Sequence, residues 1–243
     1  MKSLAKFKKI KGDASFRKFY RNRENKSILV ISKKEKLKNL LIYDAINKIL
    51  IKNKILAPNL LSENYINNYI EINDFGDQTE IRRGCGACND STRALFAGGK
   101  QNPSPASIWY NVIDYFTFTT QGDANDFGDL TYKSRQLAGC SSPTRGVFCG
   151  GYDPAVTNII NFVTIQSTGD AQDFGDLTVA RGHIGGGSNA TRGLFASGFA
   201  SPTNYNVIDY ITIATTGNAT DFGDLTLVKY SGSACSDVHG GLG

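Results

Sequence analysis

Three segments alternate apolar and polar residues with the two-residue period of a strand: Val112-Ile113-Asp114-Tyr115-Phe116-Thr117-Phe118, Ile159-Ile160-Asn161-Phe162-Val163-Thr164-Ile165 and Val207-Ile208-Asp209-Tyr210-Ile211-Thr212-Ile213. A glycine turn follows each, at Gln121-Gly122-Asp123, Thr168-Gly169-Asp170 and Thr216-Gly217-Asn218. The first third of the chain is patterned differently. Residues 12–21 read as a glycine turn leading into a strand, and 27–32 as a second strand. Leu37, Leu40, Leu41, Ile46, Ile49 and Leu50 recur near helical spacing, predicting a helix over Lys36 to Lys54 that Ala57-Pro58 ends. Residues 69–72 form a last strand before the pattern changes.

The change falls at a phrase, Asp-Phe-Gly-Asp, that occurs four times, starting at Asp74, Asp126, Asp173 and Asp221. Spacings of 52, 47 and 48 residues are those of a supersecondary unit repeated in tandem. Laid on that period, Thr92-Arg93, Thr144-Arg145 and Thr191-Arg192 coincide, as do Gly98-Gly99, Gly150-Gly151 and Ser197-Gly198. The unit therefore runs from the phrase through a variable stretch, Thr-Arg, an apolar pair, small residues and a loop to the alternating strand.

Composition divides the chain at the same place. Residues 1–73 hold 17 Lys or Arg against 6 Asp or Glu, and the remainder 10 against 16, so the overall +5 describes neither part. Only Gly12 of the 26 glycines precedes the boundary. Two domains follow, 1–73 and 74–243, the second divided into 74–125, 126–172, 173–220 and a partial 221–243. The basic run from Lys6 to Lys11 is read as a solvated face rather than a nucleic-acid site. No apolar stretch is long enough to span a bilayer, and no apolar segment with a cleavage site follows the basic start, so the expectation is a cytoplasmic or virion protein.

Several residues invite chemical readings. Cys85-Gly-Ala-Cys88 is half of a zinc motif whose second half is missing. Cys88, Cys140 and Cys235 share one repeat position with Gly187, and Cys149 shares another with Ala97 and Ala196, so the thiols are expected to fill tight core positions. Asp123, Asn125, Asp126 and Asp129 could offer oxygens to calcium, yet they lack the spaced glutamate of an EF-hand, and capping of turns is the simpler role. Asp-Phe-Gly is also a kinase magnesium motif, but no His-Arg-Asp loop accompanies it. Arg93, Arg145 and Arg192, one per repeat, are expected to hydrogen-bond between neighbouring units, a rim for sugars or phosphates being the alternative. These arginines and the phrases Asp126-Phe127-Gly128-Asp129 and Asp173-Phe174-Gly175-Asp176 are assigned structural roles, with no catalytic and no metal residue.

The order of diglycine after an apolar strand, Asp-Tyr-type strand, turn and downstream Arg resembles the kelch family, and residues 74–243 look like the kelch-like repeats of marine-phage structural and tail-fibre proteins. The resemblance implies a mainly β chain: an incomplete β-propeller of three full four-stranded repeats plus a partial one. It departs from kelch in lacking the blade tryptophan, because Trp109 is the only one and lies in a loop. The loops Lys100–Ile108 and Phe199–Tyr205 would then contact a protein or surface-glycan partner, or another copy of the chain.

Residues 1–79 resemble the small α+β lobe of aminoglycoside-phosphotransferase-like kinases, particularly cell-wall amino-sugar kinases. The matching stretches are Gly12-Asp13-Ala14-Ser15-Phe16-Arg17, Ala57-Pro58, and the hinge-like Asn73-Asp74-Phe75-Gly76-Asp77-Gln78-Thr79. The resemblance implies that Gly12, Asp13, Ala14, Ser15 and Phe16 cover the phosphates of ATP with its magnesium. The lobe that performs phosphoryl transfer is missing, since neither His183 nor His239 lies in a His-Gly-Asp loop, and Lys33 and Lys34 lie at a strand end. No cofactor and no enzymatic activity are therefore expected. Both resemblances use Asp-Phe-Gly-Asp, which reads as the join of a chimera.

Overall fold

A computed structural model describes every residue except 1–5, 10–16, 23, 25–26, 34–36, 54–56, 75, 102–106, 121, 153, 233 and 235–243. The chain is mainly β and divides into two units. Met1–Asp77 with Thr119–Asp123 form the first, and Gln78–Phe118 with Ala124–Gly243 the second.

The first unit is one antiparallel sheet and a helix. Its strands are β1 (Lys8–Lys9), β2 (Arg17–Asn22), β3 (Ser27–Ser32), β4 (Leu60–Asn64) and β5 (Tyr69–Asn73), in the order β1-β2-β3-β5-β4, with α1 (Leu37–Lys52) between β3 and β4. Val30, Leu40, Ile70 and Ile72 form its core. The buried face of α1 differs from the one its apolar residues predict: Leu40, Asp44 and Asn47 are buried, while Leu41, Ile46 and Ile49 are exposed. Asp44 tolerates burial because it accepts from the Tyr65 hydroxyl at 2.7 Å and pairs with Lys48 at 2.7 Å.

The second unit repeats one four-stranded antiparallel meander three times. Sheet one contains β6 (Gly86–Asn89), β7 (Arg93–Ala97), β10 (Val112–Thr117) and β11 (Asn125–Asp129), with the small hairpin β8 (Lys100–Gln101) and β9 (Ile108–Trp109) inserted. Sheet two contains β12 (Ala138–Ser141), β13 (Arg145–Cys149), β14 (Ile159–Thr164) and β15 (Gln172–Asp176). Sheet three contains β16 (Gly185–Ser188), β17 (Arg192–Ala196), β20 (Val207–Thr212) and β21 (Thr220–Asp224), with the hairpin β18 (Phe199–Ala200) and β19 (Thr203–Asn204) inserted. The alternating segments are the third strands. Asp-Phe-Gly-Asp closes each sheet as part of its fourth strand.

The first strands of successive sheets lie side by side, and small residues make that possible. A Cβ on Gly139 would collide with the Ala87 carbonyl, and one on Gly186 would sit 2.6 Å from the Gly139 oxygen. Ser141 ties the row together: its hydroxyl donates to Asn89 O at 2.6 Å, and its carbonyl accepts from the Ser188 hydroxyl at 2.6 Å. The thiols occupy the same seam. Cys88 Sγ lies 2.6 Å from where a side chain at Gly146 would begin, and Cys140 Sγ 2.7 Å from the equivalent point at Gly193. Each cysteine thus fills the hollow left by a glycine of the next sheet. Burial pushes the Cys140 thiol up to about 12 and those of Cys88 and Cys149 well above the ordinary range.

Each third strand carries one fully buried polar residue, Asp114, Asn161 or Asp209. The threonine that follows the preceding phrase clamps it by both its amide and its hydroxyl: Thr79 on Asp114 (3.2 and 2.6 Å), Thr131 on Asn161 (2.8 and 3.0 Å) and Thr178 on Asp209 (3.3 and 2.5 Å). In sheets one and three a buried guanidinium completes the clamp, Arg82 on Asp114 at 2.7 Å and Arg181 on Asp209 at 2.9 Å, with no side-chain exposure in either pair. Both arginines also donate to carbonyls, Arg82 to Val112 and Phe96, and Arg181 to Ser197 and Phe195. Sheet two places Ser134 at the arginine position and Asn161 at the aspartate position, removing both charges together. Two of the equivalent carbonyls are met otherwise: the Tyr132 hydroxyl lies 2.9 Å from Gly150 O and 3.3 Å from Ile159 O, and the Ser134 hydroxyl donates to Gly150 O at 3.2 Å.

Two predictions follow from these seams. Removing Arg181 alone strands a buried carboxylate, so Arg181→Ser is expected to cost about 3–5 kcal/mol in urea unfolding. Adding Asp209→Asn is expected to recover part of that loss, giving a favourable coupling of roughly 0.5–3 kcal/mol in a double-mutant cycle; additive losses would contradict the clamp. The raised thiols make the second prediction. The folded state binds protons that unfolded thiolates release, so the stability they contribute is complete below the ordinary thiol value of 9.0 and is lost as pH rises towards about 12. The unfolding midpoint should fall across that window, and less steeply in Cys140→Ala after correction for its lower stability at pH 7.

Candidate binding face

The repeated residues assigned structural roles converge on one arrangement. In β11 the register with β10 runs Ile113 to Gly128 and then Asp114 to Asp126, so Phe127 is the extra residue of a bulge. The same bulge recurs at Phe174 and Phe222. It sets the phrase phenylalanine edge-on to the third-strand aromatic: Phe127 on Tyr115 at 6.0 Å, Phe174 on Phe162 at 5.9 Å and Phe222 on Tyr210 at 6.0 Å. Arg93, Arg145 and Arg192 lie over the same third-strand rings at 4.7, 4.5 and 4.8 Å. Arg93 also donates to Ile165 O of the next sheet at 3.1 Å, and Arg145 to Ile213 O and Ala214 O at 3.1 and 2.9 Å.

The phrase also receives the turn of the next sheet. Gly169 N donates to Phe127 O at 2.7 Å and Ala171 N to Asp129 O at 2.8 Å, while Asp129 N donates to Asp170 Oδ1 at 3.0 Å. Gly217, Ala219 and Asn218 repeat this against Phe174 O, Asp176 O and Asp176 N at 2.7, 2.8 and 3.0 Å. Gly128 and Gly175 hold φ of +145° and +143°, and a Cβ on either would collide with the turn carbonyl, of Gly169 or Gly217. Asp123 Oδ1 accepts from Asp77 N at 3.0 Å in the first unit, where Arg21 also binds Asp74 at 2.5 Å and Asp77. Of the side chains that the spacing offered to calcium, Asp123 caps an amide, and its counterparts Asp170 and Asn218 do the same. Asp126 and Asp173 are exposed. Gly12, Asp13, Ala14, Ser15 and Phe16 lie outside the described residues; Lys33 is exposed at the end of β3.

A second row of residues in the same unit follows a different logic. Lys100, Tyr152 and Phe199 occupy one repeat position, directly after the glycine pair or its equivalent, and differ in every sheet. Arg83, Arg135, Gly182 and Tyr230 occupy another, which keeps arginine in the first two sheets and changes afterwards. These positions build a ladder of cations and rings. Lys100 Nζ lies 4.7 Å from the Trp109 ring centre and Arg135 Cζ 5.1 Å from it; Arg135 also lies 5.4 Å from the Tyr152 ring. Tyr152 meets His183 edge-on at 5.7 Å, and His183 meets Tyr230 at 5.7 Å and Phe199 at 6.5 Å. The Tyr152 hydroxyl donates to Phe199 O at 2.8 Å, and His183 Nδ1 lies 3.1 Å from the Ser231 hydroxyl. Burial, reinforced by Arg135, lowers the His183 pKa and favours the neutral ring. All members retain some exposure, and Tyr230 is 56% exposed. Flat apolar surface interleaved with fixed donors suits a polar, ring-bearing partner.

The loop expectations Lys100–Ile108 and Phe199–Tyr205 include Lys100 and Phe199, with 102–106 outside the described residues. Arg135, Tyr152, His183 and Tyr230 carry no local motif. Their signal is variation at fixed repeat positions. No protein-family model matches the chain, and no curated protein matches its sequence. Among the described residues no helix is long and apolar enough to cross a membrane. The ladder predicts a spectroscopic result: Arg135→Ala removes a cation from the only tryptophan, so Trp109 emission should change in wavelength or yield while the far-ultraviolet circular dichroism is retained.

Proposed function

We propose that residues 74–243 are kelch-like β-propeller blades of a non-enzymatic binding protein, of the kind carried in phage virions and tail fibres, and that the ladder from Lys100 to Tyr230 contacts a protein or surface glycan. The carrying observation is the contrast between two sets of positions. The recurring phrase glycines, Arg93 and Arg145 hold neighbouring sheets together, whereas the partly exposed position of Lys100, Tyr152 and Phe199, which differs in every sheet, joins a row of rings and cations. A scaffold that repeats while its surface varies is the arrangement expected of a recognition module.

The experiment is a glycan-array and envelope-binding screen of the full chain, followed by titration of the best binder against Trp109 emission. Binding that Arg135→Ala and Tyr152→Ala weaken about tenfold or more, roughly 1.4 kcal/mol, would support this face. Undiminished binding by both variants would remove the ladder from the interaction.

A second reading is supported by the first unit, whose hairpin, helix and final strand in a single sheet keep the element order of the phosphotransferase resemblance. It proposes a truncated ATP-dependent aminoglycoside or sugar phosphotransferase retaining only its N-terminal lobe. Magnesium-dependent stabilisation of the chain by ATP in a thermal melt would favour it; unchanged melting at millimolar nucleotide would count against it.

A further inference from the structure

The closing face of sheet three has the donors, acceptors and hollow that sheets one and two use to hold a neighbour. Phe127 and Phe174 are 2% and 3% exposed, whereas Phe222 is 52% exposed. A Cβ on Gly223, at φ +135°, would meet nothing within 4 Å, although its counterparts Gly128 and Gly175 are pressed against a turn. Among the described residues, the Phe222 and Asp224 carbonyls and the Asp224 amide have no counterpart to the three turn bonds formed at 127–129 and 174–176. Arg192 stacks on Tyr210 but, among the described residues, has no carbonyl like those held by Arg93 and Arg145.

A second copy of the chain has no described turn to offer. The turn glycines Gly122, Gly169 and Gly217 already face Gly76, Gly128 and Gly175, one phrase to each turn. Four phrases meet three turns. The chain beyond β21 meanwhile steps into the next position in register. Gly198 N donates to Lys229 O at 3.2 Å as Gly151 N does to Arg181 O at 2.9 Å, and Ser231 N donates to His183 O at 3.0 Å as His183 N does to Gln136 O at 2.9 Å.

We infer that the Phe222–Asp224 face is the docking surface for one further sheet of the same design, continuing in register from Ser231 and closing over the face with a turn that reads Gly-Asp/Asn-Ala. The turn glycine and alanine amides donate to Phe222 O and Asp224 O, the Asp or Asn side chain accepts from Asp224 N, and a carbonyl after the new third strand accepts from Arg192. This deepens the propeller reading without depending on the ladder or its partner.

Amide hydrogen exchange tests it, with two protected segments of the same chain as internal standards. In the 243-residue chain, peptides over 126–131 and 173–178 should exchange slowly and one over 221–226 fast. Replacing 232–243 with a second copy of 184–231 should slow exchange at 221–226 roughly tenfold or more, and changing the copy of Asn218 to Ala should release the Asp224 amide. Unchanged exchange at 221–226 in the extended chain overturns the inference, whether or not the appended strands are themselves protected. Protection at 221–226 in the original chain also overturns it: if it grows with protein concentration a second copy is the occupant, and if it does not the residues after 232 are. Because no ligand enters this measurement, a failed glycan screen leaves it standing.

Discussion

The second unit depends on a backbone contact that only glycine permits. Where the fourth strand of one sheet bulges at Phe127 or Phe174, the next residue takes a positive φ and presents bare backbone, and the turn of the following sheet lies against it through its own glycine carbonyl. Two glycines at each contact allow three hydrogen bonds to form between sheets that share no strand pairing. The bulge that opens this approach also turns phenylalanine inward beneath the ring that the arginine covers. One four-residue phrase therefore fixes both the end of its own sheet and the position of the next, which accounts for its recurrence while neighbouring residues drift.

The buried clamps show how such a stack tolerates change. A carboxylate and a guanidinium, both without exposure, stabilise the fold only together, because either charge left alone in a dry interior costs more than the pair contributes. Sheet two has neither, and Tyr132 reaches two of the equivalent carbonyls from a position two residues away from the missing arginine. Neither version is fully satisfied: Asn161 Nδ2 in sheet two and Arg82 Nε in sheet one both lack a partner among the described residues. Two backbone acceptors are thus met by different side chains: Ile159 O and Gly150 O by Tyr132, where their counterparts Val112 O and Ser197 O are met by arginine.

That distinction separates what could be read in the sequence from what could not. The third strands, the turns and the period were legible because alternation and glycine act locally, and Cys88, Cys140 and Cys149 were legible as small core residues because they share repeat positions with Gly187 or with Ala97 and Ala196. The pairing of phrase with turn was not, since it joins residues about 41 positions apart and the only clue is that both contain glycine. The buried face of α1 was misjudged by its leucines and isoleucines: Asp44 goes inside because Tyr65 and Lys48 satisfy it. The ladder escaped notice because its members keep the repeat spacing but not the residue type, so no motif marks them.

Where variation falls is itself a physical statement. A position pressed against a neighbouring backbone, such as Gly139 or Gly186, admits no side chain, so its identity is dictated by geometry. Lys100, Tyr152 and Phe199 hold one repeat position at which a cation, a phenol and a phenyl ring are all accommodated, so stacking of the sheets does not dictate the choice there. Yet the three are not independent of one another. Trp109, Arg135 and His183 stand between them at stacking distances, and the row joins all three sheets. A surface left free by the scaffold but ordered by its own contacts loses little side-chain entropy when a partner arrives. That is the physical case for placing recognition on this face rather than on the seams.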